Sequence, residues 1–132
     1  VAACGPARAS PPAPPAPELI EPHAASADAV QVIANDYAFV LSVDRMRTGA
    51  IDFVVKNTAE RDHEFVVVPM KDGRFGLPIG EIEAFGGGET RAMRAELRPG
   101  QYELVCLIVS LNEGDAASHL ALGMRTPFEV TD

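Results

Sequence analysis

"RPGQYELVC", residues 98–106, decides how this chain is read. Arg-Pro-Gly is a tight-turn signal, because proline pre-sets φ and glycine supplies backbone freedom. The residues after it alternate. Tyr102, Leu104 and Cys106 fall on one face, Gln101 and Glu103 on the other. A period of two is that of a strand with one buried side. The strand therefore carries a thiol to the interior at its far end.

Working outward, the same pattern recurs. "TRAMRAEL" at 90–97 sets Met93, Ala95 and Leu97 against Arg94 and Glu96. In "IDFVVKN", Ile51, Phe53 and Val55 alternate with Asp52, Val54 and Lys56. "VQVIAN" and "YAFVL" within 30–41 are β-branched and aromatic, "EFVVV" at 64–68 reads as a buried strand ended by Pro69, and "PFEVT" at 127–131 turns Phe128 and Val130 inward. Glycine and proline interrupt 73–88 too often for a long helix, leaving room for a short turn around "IGEIEAF". Short strands separated by turn signals predict an all-β domain, either a two-sheet sandwich or a small barrel. An immunoglobulin sandwich would normally show a cysteine pair and a buried tryptophan. The region 30–132 has one cysteine and no tryptophan.

Composition narrows the function classes. The 132 residues carry a net charge of −8 with no lysine- or arginine-rich run, which argues against a nucleic-acid partner. No apolar stretch is long enough to cross a bilayer as a helix. Residues 1–29 differ from the rest, with seven of the eleven prolines between Pro6 and Pro22. Such a segment reads as a disordered Pro/Ala-rich linker, with the domain proper at 30–132. Cys4 in "VAAC" resembles the lipidated cysteine of a bacterial lipoprotein, Val1–Ala3 being the end of its signal. Alternatives are a free thiol and a disulfide from Cys4 to Cys106. As an anchor, Cys4 would place the domain outside the cytoplasm, up to about 80 Å from the membrane at ~3.1 Å per residue.

Beyond Cys106 lie His119 and Met124, spaced His-x4-Met, with twelve residues between Cys106 and His119. The other histidine of the domain, His63, stands where a loop enters a strand. Each has an ordinary reading: Cys106 and Met124 as core filling, His63 as a satisfied donor, His119 as solvated. Together they make the ligand set of a His2Cys copper site with a weak axial methionine. Soft sulfur favours Cu(I), imidazole tolerates Cu(II), and the thioether argues against zinc. His23 lies in the linker and is not a ligand. Met46, Met70 and Met93 are scattered, unlike a Cu(I)-trafficking cluster, and Gly86–Gly88 form a turn without the sequence of a phosphate loop.

His63, Cys106 at the end of "YELVC", and His119-x4-Met124 before a terminal "FEV" strand resemble the cupredoxin, or blue copper, family, whose familiar members are plastocyanin and azurin. The resemblance covers 30–132, including "VKNTAERDHEFVV" and "HLALGM". It implies a Greek-key β-sandwich with copper near one end, held by His63, Cys106, His119 and Met124. It also implies a second histidine reaching the surface through a hydrophobic patch, to which Leu120, Leu122 and Gly123 would contribute. Two features depart from the family. The loop between Cys106 and His119 is longer, and its insertion "NEGDAAS" would form a flap or short helix whose Glu113 and Asp115 meet a positively charged partner. Glu64 stands where plastocyanin and azurin have an asparagine that braces the cysteine loop, and Asn57 is the candidate for a related bond.

The function expected from the resemblance is one-electron transfer by a single copper cycling between Cu(II) and Cu(I), without substrate turnover. The chain would act as a monomer, with redox partners in a membrane respiratory chain. Competing readings are an extracytoplasmic copper carrier and a metal-free binding module.

Overall fold

The computed structural model describes residues 15–110 and 117–132. The described chain is β-structure with one short 3-10 turn (Pro22–Ala24) and no α-helix. In order the strands are β1 (Glu18–Ile20), β2 (Val30–Asn35), β3 (Ala38–Leu41), β4 (Arg45–Arg47), β5 (Gly49–Asn57), β6 (His63–Lys71) and β7 (Arg74–Phe75). They continue with β8 (Gly80–Phe85), β9 (Thr90–Leu97), β10 (Gly100–Val105), β11 (Val109–Ser110), β12 (Ala117–Ser118) and β13 (Arg125–Thr131).

Two sheets pack face to face. One runs β1-β9-β5-β2-β3; the other runs β4-β13-β10-β6-β7, with β8 also paired to β6. The pairs β2/β5 and β4/β13 are parallel, which makes both sheets mixed. The chain crosses between sheets from β3 to β4, β4 to β5, β5 to β6, β8 to β9 and β9 to β10, giving the Greek-key sandwich expected of a cupredoxin. The inward sets read from the sequence are those found in the core: Ile51, Phe53 and Val55; Met93, Ala95 and Leu97; Tyr102, Leu104 and Cys106; Phe128 and Val130. Between the sheets the Phe53 ring meets Phe65 at 5.3 Å and Phe128 at 5.4 Å. Burying each such ring contributes about 1.5–3 kcal/mol, so the alternation that defines the strands also supplies the force that holds them.

Three expectations are corrected. Residues 15–29 are not all linker: Glu18–Ile20 pair with Ala92–Arg94 on the edge of β9, and the Ser26 N–H donates to the Asp52 carboxylate at 2.8 Å. "ELI" contains no proline, so its amides can join a sheet edge that composition does not reveal. "IGEIEAF" is not a turn but β8, whose Ile82 and Phe85 are buried while β6 supplies the backbone partners. Pro69 does not end β6, which continues to Lys71. The Pro69 carbonyl accepts from Gly76 N at 2.8 Å, so its missing N–H falls on that irregular side and spares the ladder to β10. Cys4, Glu113 and Asp115 lie outside the described residues.

Candidate metal centre

The ends of three strands meet at one end of the sandwich. His63 is the first residue of β6 and shares the inward face with Phe65 and Val67. Cys106 follows β10 directly, and Met124 immediately precedes β13. Because β10 pairs with both β6 and β13, strand pairing alone brings these positions together. Backbone bonds then fold the intervening loop back. His119 N donates to Ile108 O at 2.9 Å, Met124 N to His119 O at 3.0 Å, and Cys106 N to Met124 O at 3.1 Å.

The result is a cluster of donors. One ligand atom each from His63, Cys106 and His119 all lie within 4.8 Å of one another. Cys106 Sγ is 3.5 Å from His119 Nδ1. His63 and Cys106 are 0% exposed and His119 is 2% exposed. Met124 is also fully buried and belongs to the same core cluster as Cys106.

One atom tests whether a metal fits. His63 Nδ1 is buried with no hydrogen-bond partner in the protein. A buried polar nitrogen left so is costly, and a metal bond would satisfy it. Burial raises the Cys106 thiol above its ordinary pKa, partly offset by the N–H groups of Glu64 and Ile108 directed at the sulfur. The thiol of the free protein is therefore protonated at neutral pH, and a bound cation must displace that proton. Burial, and then repulsion from His63, lowers His119, which keeps its imidazole neutral with a lone pair available.

The surrounding contacts hold these groups in place. Asp36 Oδ1 lies 2.7 Å from His63 Nε2, and Asp36 Oδ2 accepts from Arg61 Nε at 3.0 Å. The Tyr37 ring stands edge-on to both imidazoles, with centroids 6.3 Å from His63 and 5.1 Å from His119. Sequence reasoning singled out neither Asp36 nor Tyr37 for this site. The β2–β3 turn brings them in from the opposite sheet, and no local pattern signals that crossing.

Glu64 does brace the cysteine loop, but as an acceptor: its Oε1 takes the Leu107 N–H at 2.8 Å, and its own N–H points at Cys106 Sγ at 3.5 Å. Burial raises the Glu64 carboxyl, and the bond from Leu107 works in the opposite direction. Asn57 braces a different loop. Its Nδ2 donates to the carbonyls of Arg61 and Phe85, both at 2.9 Å, and its Oδ1 accepts from Ala59 N at 2.9 Å. Those bonds shape the approach to His63. The glycine turn packs on the same loop so closely that a Cβ at Gly87 would fall 2.0 Å from Ala59 O.

The expected surface patch is rearranged. His119 is covered by Tyr37 rather than reaching solvent. Leu120 packs on Val66, Val68 and Val105, while Leu122 is exposed. Gly123, at φ +119°, lies against the Tyr37 carbonyl, a backbone position that disfavours any side chain. His23 sits in the 3-10 turn, outside the donor cluster.

No protein-family model matches the chain. It is 25% identical over 108 residues, 82% of its length, to the iron uptake system component EfeO of Yersinia pestis, and spans 27% of that protein. Solved structures with the same fold include auracyanin B, with a TM-score of 0.61 at 17% identity over 89% of this chain and 99% of the other. Auracyanin A, described as a "blue" copper protein of Chloroflexus aurantiacus, has a TM-score of 0.57 at 16% identity over 78% and 98% of the two chains. A multicopper oxidase shares the fold at a TM-score of 0.51 and 12% identity, over 80% of this chain and 44% of that one. The chain therefore carries the cupredoxin fold.

Proposed function

We propose that this chain holds one copper ion through His63, Cys106 and His119, with Met124 as a weaker fourth ligand, and serves as a one-electron carrier outside the cytoplasm. The observation that carries the reading is the convergence of two imidazoles and a thiol within 4.8 Å, with Nδ1 of His63 buried and unpartnered. Two nitrogens, one thiolate and a thioether nearby form the donor set of a blue copper centre. Copper supplies the one-electron Cu(II)/Cu(I) couple. The protein supplies rigid placement: strand ends fix His63 and Cys106, the folded loop fixes His119, and burial excludes water.

Burial also bears on the choice between electron carrier and enzyme, which the fold alone does not make. Among the described residues the four donors are 2% exposed or less, which favours electron transfer over a reaction in which a substrate binds the metal. An electron can cross a few ångströms of packed side chains, whereas a substrate must reach the metal. The partners in this reading are redox proteins, and Cys4, if lipidated, would hold the carrier beside them at a membrane.

The test is a visible spectrum after adding one equivalent of Cu(II) to the reduced protein, repeated on Cys106→Ser. An intense thiolate-to-copper band is expected that bleaches reversibly with reductant and is absent from the variant. A colourless protein would overturn the reading. The likeness to an iron-uptake component favours metal carriage as a second reading. In that case the loaded protein would yield its metal rapidly to a competing chelator, and an electron carrier would not.

A further inference from the structure

We propose that Asp36 is a positioning residue of the metal centre: its carboxylate fixes the tautomer of His63 and biases the site toward the oxidised ion. The metal half of this inference rests on the copper reading above; the tautomer half does not.

A carboxylate only accepts hydrogen bonds, so the 2.7 Å contact from Asp36 Oδ1 requires the proton of His63 on Nε2. That leaves the lone pair on Nδ1, the atom that is buried without a partner. The two observations agree: one nitrogen is held by Asp36, and the other is left without a partner in the protein. The carboxylate is itself oriented, because its second oxygen accepts from Arg61 Nε at 3.0 Å. A backbone carbonyl could select the same tautomer. A carboxylate adds a negative charge one hydrogen bond behind the ligand, which makes the imidazole a stronger donor. Donation of that kind favours Cu(II) over Cu(I), since the ion of higher charge gains more from it. The Arg61 guanidinium opposes this charge, but it sits on the far oxygen and is partly exposed.

Long-range proton–nitrogen NMR on the metal-free protein reads the tautomer directly. His63 should carry its proton on Nε2 in the wild type and in Asp36→Asn, where an amide oxygen can still accept. Asp36→Ala should populate the other tautomer. In copper-loaded protein, Asp36→Asn should keep the thiolate band, while the ratio of Cu(II) to Cu(I) affinity falls about tenfold. Such a change raises the potential by about 59 mV for a one-electron couple. A wild-type proton on Nδ1, or an unchanged affinity ratio in Asp36→Asn, would overturn the proposal. If the wild type binds no copper, the copper reading fails, and the tautomer result alone decides whether Asp36 positions His63.

Discussion

His63 reaches the centre from a loop of five residues, 58–62, whereas His119 arrives at the end of the twelve-residue connection from Cys106. The short loop is held by side-chain bonds. Asn57 makes two of them and ties the loop to Phe85 with a third bond, the glycine turn packs against the loop, and Asp36 fixes His63 from the opposite sheet. Among the described residues the long connection is tied mainly by backbone bonds, His119 to Ile108 and Met124 to His119, with Glu64 reaching across to Leu107. One ligand is thus placed by the body of the fold and the other by a loop that closes on itself. A loop can lengthen without moving the metal as long as its two ends stay on paired strands, here β10 and β13.

Asn57→Ala should break the fixed side and have the largest effect. It strands two carbonyls and an N–H at a residue that is 0% exposed, for a loss of about 3 kcal/mol in urea unfolding. Because the loop bearing His63 loses its frame, the thiolate–copper band should weaken in step. An unaltered band would mean that Asp36 alone fixes His63.

Earlier on the same strand, Asp52 provides a control that should cost stability without touching the centre. Its buried carboxylate accepts from Arg94 Nε and Nη2 at 2.7 and 2.9 Å and from Ser26 N at 2.8 Å. The Arg94 bonds above all hold its pKa below the ordinary value. A depressed carboxylate contributes its full stability above the unfolded pKa, about 4, and loses it as pH falls through the folded value. Unfolding free energy should therefore drop on acidification below about pH 4. Asp52→Asn should lose about 2 kcal/mol at neutral pH, flatten that slope and leave the copper spectrum unchanged.

The smallest effect belongs to the loop side. Glu64→Ala removes the acceptor for Leu107 N–H, and about 1 kcal/mol or less should be lost. Hydrogen exchange at Leu107 should quicken and copper affinity fall about tenfold, whereas Glu64→Gln, still an acceptor, should restore both. An equal defect in both variants would show that the negative charge matters rather than the bond.

The alternation around Cys106, Phe53, Met93 and Phe128 specified both the strands and their inward faces, since burial is the force that selects them. The donors were legible for a related reason. Cys106, His63 and His119 are the only thiol and imidazoles in 30–132, so chemistry could nominate them before any geometry was known. "ELI" at 18–20 and the strand at 80–85 carry no local strand signal, because the amides that pair them belong to β9 and β6, distant in sequence. Asp36 and Tyr37 carried no signal of their own. They matter through a turn that folds across from the opposite sheet onto His63, 27 residues away, and hydrogen bonds of that span are decided only when the sheets pack. The sequence by itself determined which atoms can hold a metal. The tertiary structure decided which nitrogen of His63 is left to do so and what covers His119.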